Sequence, residues 1–105
     1  MKGELVVISF PFSDLSGAKR RPALVLADWD AEDVMLCQIT TKTKADGFQV
    51  SLEVSDFEKG SLPVASHVRP NKIFTADKSI ILSKAGKISA AKFQEVTAVI
   101  LKLIS

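Results

Sequence analysis

Residues 5–27 read LVVISFPFSDLSGAKRRPALVLA and contain two apolar runs separated by a polar stretch. The first run, LVVISF at 5–10, is β-branched, aromatic and almost continuously apolar, which is typical of a strand covered on both faces. The stretch from Pro11 to Arg20 gathers Pro, Ser, Asp and Gly, the residues of turns and loops. The second run, PALVLA at 22–27, opens with a proline, whose missing amide donor is tolerated at the start of a strand. This segment therefore predicts two strands joined by a long exposed loop.

The rest of the chain adds short strands with turn residues between them. We expect strands at VMLCQIT (34–40), at FQVSLEV (48–54), at LPVASHVR (62–69) with a bend at Pro70 before NKIFT (71–75), and at IIL (80–82). Their expected connections are DWDAED (28–33), TKTKADG (41–47), SDFEKG (55–60), in which one helical turn is an option, and SKAG (83–86). Roughly five to seven short strands in about 90 residues favour a small antiparallel barrel or curled sheet.

Only the C-terminal end has a clear helical pattern. After Ser89, a candidate N-cap, apolar residues recur at spacings of three and four: Phe93, Val96, Ile100 and Leu103. The stripe is widened by Val99, Leu101 and Ile104. The sequence predicts a mainly β fold with a C-terminal helix, an SH3-like curled antiparallel barrel in a single domain covering residues 1–105.

The composition is that of a globular protein, with 47% hydrophobic and 25% charged residues among 105. Fourteen Lys+Arg against twelve Asp+Glu give a net charge of +2, too small by itself to imply binding to a polyanion. No apolar run approaches the roughly 20 residues of a membrane span. The N-terminus also lacks the features of a secretion signal. We therefore expect a cytoplasmic protein that does not bind a membrane.

Most catalytic and metal-binding templates are absent from the sequence. The single cysteine, Cys37, excludes an intrachain disulfide and a multi-cysteine zinc site, and one histidine, His67, argues against a protein-built transition-metal site. The sequence has no glycine-rich phosphate loop, no nucleophile elbow and no HExxH motif. Because Cys37 lies inside an apolar strand, we interpret it as a small buried hydrophobe rather than a reactive thiol.

An arginine and a threonine remain as the residues that could perform chemistry. Arg21 lies where the loop becomes the second strand, and Thr40 ends the third, so antiparallel neighbours would bring both to one end of the sheet. A guanidinium and a hydroxyl suit a phosphate, because the guanidinium fork orients two oxygens and the hydroxyl donates to a third. The alternative interpretation is that Arg21 is a surface charge and Thr40 an ordinary strand residue.

The residues resemble a known family of bacterial toxins. The opening KGELVVISFPFSDLSGAKRRPALVL is similar to the N-terminal signature of the MazF/PemK (Kid) toxins of type II toxin–antitoxin systems. Later matches are QIT at 38–40 and HVRPNKIF at 67–74. The resemblance covers nearly the whole chain, and the opening stretch is its most specific part.

The resemblance implies a sequence-selective endoribonuclease that needs no metal or other cofactor and cuts single-stranded RNA such as mRNA. The RNA 2′-hydroxyl would attack the adjacent phosphate and leave a 5′-hydroxyl product. By the family's motif, the catalytic arginine corresponds to Arg21 and the catalytic threonine to Thr40. The resemblance also implies a homodimer and a cognate antitoxin, whose acidic, disordered C-terminal segment would occupy the RNA groove. The apolar C-terminal helix would allow a two-fold interface.

This sequence departs from the family pattern before its third-segment arginine. Several family members carry a carboxylate there as a candidate base, whereas Ser66 and His67 precede Arg69 here. We interpret His67 as a possible replacement, because imidazole transfers protons near neutral pH. The alternative is a strand histidine with no role in proton transfer.

Further residues are candidates for contact with the RNA. Arg69 is expected to bind phosphate rather than to act in catalysis. Cationic and polar side chains near the strand ends would line the RNA path: Lys19, Arg20, Thr41, Lys42 and Lys44. Phe12 is a candidate for stacking on a base. Trp29 lies in an acidic turn and is interpreted as a packing or partner contact.

Two other function classes remain open at the level of sequence. One is a non-catalytic toxin of the same fold that binds a protein such as gyrase, as the related CcdB toxins do. The other is an RNA-binding module without turnover, and a degenerate toxin is a third variant. Neither binder requires the pair Arg21 and Thr40, so these two residues distinguish the nuclease hypothesis.

Overall fold

A computed structural model describes residues 1–11, 18–43 and 47–105. Its seven strands are β1 Glu4–Pro11, β2 Ala18–Ala27, β3 Asp33–Thr40, β4 Val50–Leu52, β5 Phe57–Gly60, β6 Ser66–Asp77 and β7 Ile81–Ile88. One helix, α1, spans Ala90–Ile104, and short 3-10 turns lie at Val54–Asp56 and Lys78–Ile80. The strands form one antiparallel sheet in the order β4-β6-β3-β2-β1-β7-β5, which curls into a nearly closed barrel. The predicted mainly β fold with a C-terminal helix is confirmed.

The second strand begins earlier than predicted. β2 starts at Ala18 rather than Pro22, because its ladder with β1 extends as far as the pair Pro11 and Ala18. Pro22 lies inside the strand, opposite Val7. The predicted loop from Pro11 to Arg20 is therefore too long at its C-terminal end. Its central part, residues 12–17, lies outside the described residues.

The edge strands also differ from the sequence prediction. Only Val50–Leu52 of the predicted strand at 48–54 is a strand, and the connection at 55–60 contains both the 3-10 turn and β5. The turn predicted at 83–86 is wrong, since these residues lie within β7. Gly86 pairs with Gly60 on β5, and a side chain on either would collide with the backbone of the other strand. The glycine that indicated a turn permits close strand approach instead.

Strand β6 is one long strand with an irregular ladder. It runs from Ser66 to Asp77 through Pro70, where the sequence predicts a bend. Its register with β3 jumps from Cys37 opposite Ile73 to Ile39 opposite Val68, so extra residues of β6 are accommodated between these pairs. Such a bulge re-aims side chains locally. Arg69, which falls in this irregular segment, is turned into the protein and is only 9% exposed.

The apolar side chains form clusters on both faces of the sheet. One cluster contains Leu5, Leu24, Cys37 and Ile39, and α1 packs against it through Val96, which is fully buried. The alternating positions form the second cluster on the opposite face: Val6, Ile8, Ala23, Val25, Val34 and Leu36. The prediction that the first strand is covered on both faces is confirmed.

Helix α1 has the N-cap that the sequence predicts. The hydroxyl of Ser89 accepts a hydrogen bond from the Lys92 amide at 3.1 Å. Lys92 Nζ lies 3.4 Å from Asp56 Oδ2 and 3.1 Å from Glu95 Oε1. Partial burial opposes the charge of Lys92, but the two carboxylates outweigh it and raise the pKa of the ammonium. These contacts tie the first turn of the helix to the 3-10 turn before β5.

Of the described helices, none is both long and apolar enough to span a bilayer.

Some large apolar side chains are exposed to solvent. On α1, Leu101 is 62% and Ile104 is 76% exposed, and Trp29 in the β2–β3 turn is 54% exposed. Trp29 is therefore not a core residue, and its contact with a partner stays a prediction.

Candidate functional site

Strand register brings the sequence-predicted residues into one row across the sheet. The β1–β2 ladder sets Ile8 opposite Arg21, and the β3–β6 ladder sets Thr40 opposite His67. The β2–β3 ladder ends at the pair of Ala23 with Gln38. If its register is continued by two residues, Arg21 falls opposite Thr40. Directly opposed residues of antiparallel strands project from the same face. The arginine and the threonine therefore leave the sheet on the same side.

Arg21 and Thr40 line one cavity, which we call the basic cavity. Its volume is about 310 Å³, and its lining residues are Ile8, Arg21, Pro22, Ala23, Gln38, Thr40, Thr41, Lys42, Arg69, Lys72 and Phe74. The two side chains are half-buried. Arg21 and Thr40 therefore lie at one site, as the sequence predicts.

The basic cavity concentrates positive charge. Four cationic side chains line it: Arg21, Lys42, Arg69 and Lys72. None of the described residues in its lining is an aspartate or glutamate. A cleft lined by one sign of charge focuses the electrostatic potential and raises the local concentration of ions of the opposite sign. The cavity is thus suited to an anionic ligand, although the net charge of the whole chain is only +2.

Arg69 is fixed by the irregularity in β6. Its backbone carbonyl accepts a hydrogen bond from the Cys37 thiol at 2.9 Å, within the buried core. Burial raises the pKa of Cys37 to about 12, so the thiol remains protonated and serves as a donor. The interpretation of Cys37 as a small buried hydrophobe is confirmed, because its side chain is fully buried. Its hydrogen bond positions the backbone from which the Arg69 side chain enters the cavity wall.

Thr40 is oriented by the backbone that follows it. The Lys42 amide donates a hydrogen bond to Thr40 Oγ1 at 3.1 Å. The side-chain amide of Gln49 donates to the Lys42 carbonyl at 2.9 Å, which holds the same turn. A hydroxyl has one proton and two acceptor positions. Because the Lys42 amide occupies an acceptor position, the Thr40 O–H can still donate to a ligand.

The other sequence-predicted residues are distributed unevenly around this site. Thr41 and Lys42 line the cavity, whereas Lys19 and Arg20 are exposed on β2 and do not. Arg20 alternates with Arg21 and so projects from the other face of the sheet. His67 lies opposite Thr40 but is absent from the described lining. Phe12 and Lys44 lie outside the described residues.

Sequence reasoning missed part of the cavity lining. Ala23 lies two residues after Arg21, and Gln38 lies two residues before Thr40. Strand alternation therefore puts both on the face that carries the cavity. That alternation is the signal that could have identified them. Lys72 lies in the irregular segment of β6, whose register no local pattern reveals. Phe74 lies in the regular ladder opposite Leu36, a pairing of two strands that are distant in sequence.

No metal-binding cluster accompanies the cavity in the described part of the chain. Across residues 1–11, 18–43 and 47–105, no three His, Cys, Asp or Glu side chains are grouped so that they could hold a metal ion. The groups that the cavity offers are guanidinium, ammonium, hydroxyl and carboxamide. This set can bind and orient a phosphate.

The model of one protein family matches residues 1–104. It describes the PemK-like, MazF-like toxin of type II toxin-antitoxin systems. The chain belongs to this family. The resemblance identified from the opening stretch, QIT and HVRPNKIF is therefore confirmed. No curated protein matches this PemK/MazF-family chain in sequence.

Solved structures of the same fold include several MazF proteins. An endoribonuclease in complex with its cognate antitoxin, from a mycobacterial species, is 18% identical with a TM-score of 0.76, covering 99% of this chain and 93% of that one. MazF in a MazE–MazF crystal structure from Deinococcus radiodurans is 24% identical with a TM-score of 0.75, covering 98% and 94%. The Mycobacterium tuberculosis toxin MazF-mt6 is 16% identical with a TM-score of 0.71, covering 94% and 95%. At these identities the likeness establishes the fold.

Proposed function

We propose that this PemK/MazF-family chain is an endoribonuclease toxin that cuts single-stranded RNA, including mRNA, at short sequence motifs. The observation that carries the proposal is that Arg21, Thr40 and Arg69 line one basic cavity. A protein that only binds another protein has no need for a guanidinium and a hydroxyl that line one basic cavity. The match to a toxin family and the fold shared with proteins described as endoribonucleases also support it.

In the proposed reaction the RNA supplies its own nucleophile. The 2′-oxygen attacks the adjacent phosphorus, the bond from phosphorus to the 5′-oxygen breaks, and a 2′,3′-cyclic phosphate and a 5′-hydroxyl result. The protein must stabilise the pentacovalent dianion and move two protons. Arg21 neutralises the dianion with its planar fork, and Thr40 donates its O–H to a non-bridging oxygen. Arg21 is expected to lower the barrier by about 3–4 kcal/mol, and the single hydrogen bond from Thr40 to a charged oxygen by about 1.5–3 kcal/mol.

The remaining cations hold the substrate. Arg69 binds the phosphate in the ground state, because its backbone is fixed by the Cys37 hydrogen bond and its side chain is nearly buried. Lys42 and Lys72 contact neighbouring phosphates, with Thr41 beside them. Lys19, Arg20, Lys44 and Phe12 are proposed to extend the RNA path beyond the cavity. Neutralised phosphates release counterions, so binding weakens as salt rises.

Proton transfer is assigned to His67 as a hypothesis. An arginine keeps its proton in proteins and cannot serve as a base. His67 lies opposite both Thr40 and Ser51 in the sheet, and its register puts it on the face that carries the cavity. It would accept the proton of the 2′-hydroxyl, and a proton must also reach the departing 5′-oxygen. No carboxylate of the described lining competes for that role.

The same cavity is proposed to receive an antitoxin. An acidic, disordered segment of a cognate antitoxin would present carboxylates where the RNA presents phosphates. We also propose a homodimer, because α1 exposes Leu101 and Ile104 to solvent. A toxin acting on mRNA works in the cytoplasm, and the match over residues 1–104 supports one toxin domain covering the chain.

The test is incubation of the purified protein with a long single-stranded RNA in EDTA. We expect defined fragments with 5′-hydroxyl ends. Arg21→Ala should abolish them, and Lys87→Ala, which removes a half-buried cation of β7 outside the cavity, should leave them unchanged. Intact RNA, together with growth arrest on expression in cells, would favour the protein-binding toxin instead.

A further inference from the structure

The basic cavity is larger and less polar than a phosphate site requires. At about 30 Å³ per water molecule its volume would hold roughly ten waters, several times the space of one phosphate group. Besides its cations it is lined by the apolar side chains of Ile8, Pro22, Ala23 and Phe74. An apolar wall contributes nothing to binding a phosphate. It does suit the flat, weakly polar surface of a nucleobase.

The space arises from one cross-strand pair. Ala23 on β2 lies opposite Gln38 on β3, and alanine has only a methyl group to fill its side of the pair. Ala23 itself is 1% exposed, so its methyl forms the floor. The Gln38 side chain stands beside this hollow and is half-buried.

Gln38 lines the cavity with hydrogen-bonding capacity that no described residue uses. A carboxamide carries two donor hydrogens and two acceptor lone pairs. Among the described residues, none makes a hydrogen bond to the Gln38 side chain. A partly buried polar group in this state is stabilised when a ligand supplies the missing partners.

Phe74 provides an aromatic surface at the same place. It lies opposite Leu36, one same-face position along β3 from Gln38, and its half-buried ring contributes to the cavity lining. Proteins that bind single-stranded RNA stack bases on aromatic rings and read the base edges with hydrogen bonds. Gln38 and Phe74 supply one group of each kind on adjacent strands.

We propose that Gln38 and Phe74 form a base-reading subsite, in which a nucleobase next to the scissile phosphate stacks on Phe74 and is identified through hydrogen bonds to Gln38. This subsite rests on the proposed function, since it specifies which RNA sequence the same cavity accepts. A base edge offers a donor and an acceptor side by side, and the carboxamide offers the complement. Arg21 and Thr40 act on the phosphate whatever the sequence, whereas Gln38 determines the base at one position of the motif.

The test maps cleavage motifs on a long RNA of mixed sequence. Wild type is compared with Gln38→Leu, which keeps the volume and removes the hydrogen bonds, and with Gln94→Leu on the exposed face of α1. We expect Gln38→Leu to lose about 5- to 150-fold of the preference at one motif position, with the other positions unchanged. Gln94→Leu should keep the wild-type motif. A wild-type motif in Gln38→Leu would overturn the subsite and leave the nuclease proposal intact.

A binding measurement separates the two proposals if no RNA is cut. A random RNA pool is selected on Arg21→Ala and on the double variant Arg21→Ala with Gln38→Leu, and the bound RNA is sequenced. One enriched base that the double variant loses supports the subsite and refutes only the cleavage. An absence of any enriched base, or an enrichment that Gln38→Leu leaves unchanged, overturns the subsite.

A separate variant tests whether a base stacks on the ring of Phe74. Phe74→Leu keeps an apolar side chain in the cluster that Phe74 packs against and removes the stacking surface. We expect KM for RNA to rise about 5- to 150-fold with the motif retained. An unchanged KM would overturn the stacking half of the proposal.

Discussion

Two ends of one sheet face behave differently although they follow the same strand alternation. At one end Val6, Val25, Val34 and Leu36 are completely buried against one another. At the other end of the same strands, Arg21 and Thr40 line the basic cavity, and the neighbouring side chains leave this space open. The packed end holds the strands together, and the open end positions charged and hydroxyl groups over a fixed floor. Stability and chemistry are thereby assigned to separate stretches of the same strands.

The largest effect is expected from weakening the packed end. Leu36→Ala removes a fully buried side chain and leaves a cavity, so the free energy of unfolding should fall by about 2–5 kcal/mol. Urea denaturation measures it, and the RNA cleavage motif of the folded fraction should stay unchanged. A loss below about 0.5 kcal/mol, the usual range for surface substitutions, would contradict the assignment of this end to the core.

At the open end, Arg21→Ala should strongly reduce cleavage without unfolding the protein. We expect cleavage to fall about 100- to 1,000-fold, because a preorganised cation facing the dianion is lost. The melting temperature should stay close to that of wild type, since Arg21 is only half-buried. Single-turnover cleavage and thermal denaturation of the same preparation give both numbers. Cleavage at the wild-type rate would reject Arg21 as a catalytic residue.

Removal of the Thr40 hydroxyl should have a smaller effect. Thr40→Ala is expected to slow cleavage about tenfold to a hundredfold, because one hydrogen bond to a charged group is lost. Thr40→Val keeps the β-branched shape and should show the same loss, which separates the hydroxyl from strand packing. If both variants cleave like wild type, the hydroxyl in question is that of Thr41, which lines the same cavity.

On the face of the sheet that α1 covers, we expect an effect of about 1 kcal/mol on the free energy of unfolding. Ser89→Ala deletes the hydroxyl that accepts the Lys92 amide, so the free energy of unfolding should fall by about this amount. Ser105→Ala, at the other end of the helix, is the matched serine and should change it by less than about 0.5 kcal/mol. Equal effects of the two substitutions would show that the N-cap does not stabilise the helix.

The smallest effect concerns the rim of the open end. Lys42→Ala should reduce the slope of log affinity against log salt by about 0.7, the value for one phosphate contact on a single strand. Fluorescence anisotropy with a labelled RNA at several salt concentrations measures the slope. The same change in Lys59, a lysine exposed on β5, should leave the slope unchanged. A parallel pair of salt curves for wild type and Lys42→Ala would exclude a phosphate contact.

The sequence predicts elements whose signals are local. The apolar run at 5–10 and the capped, periodic segment after Ser89 correspond to β1 and α1, because burial and capping depend on neighbouring residues. The predicted start of β2 and the predicted turn within β7 were wrong, because partner strands distant in sequence decide where a ladder ends. Local turn residues such as Gly86 cannot report that pairing.

The candidate site divides in the same way. The shared position of Arg21 and Thr40 follows from two neighbouring antiparallel strands, so the sequence was sufficient to predict it. Lys72 lies in the segment where the β3–β6 register jumps near Pro70, between the pairs Cys37–Ile73 and Ile39–Val68. Such a jump is set by packing over the whole sheet and leaves no pattern in the residues around it. Strand alternation puts Gln38 on the same face as Thr40, but only the cavity lining gives its carboxamide a chemical role.

In the proposed reaction the protein binds a phosphodiester while the 2′-hydroxyl of the RNA attacks the phosphorus. Once a cut site is mapped, the ribose that supplies its 2′-hydroxyl is replaced by 2′-deoxyribose in an otherwise unchanged oligonucleotide. Wild-type protein should still bind this strand but should no longer cut it at that site. Cleavage there at the original rate would show that the nucleophile is not the RNA 2′-hydroxyl.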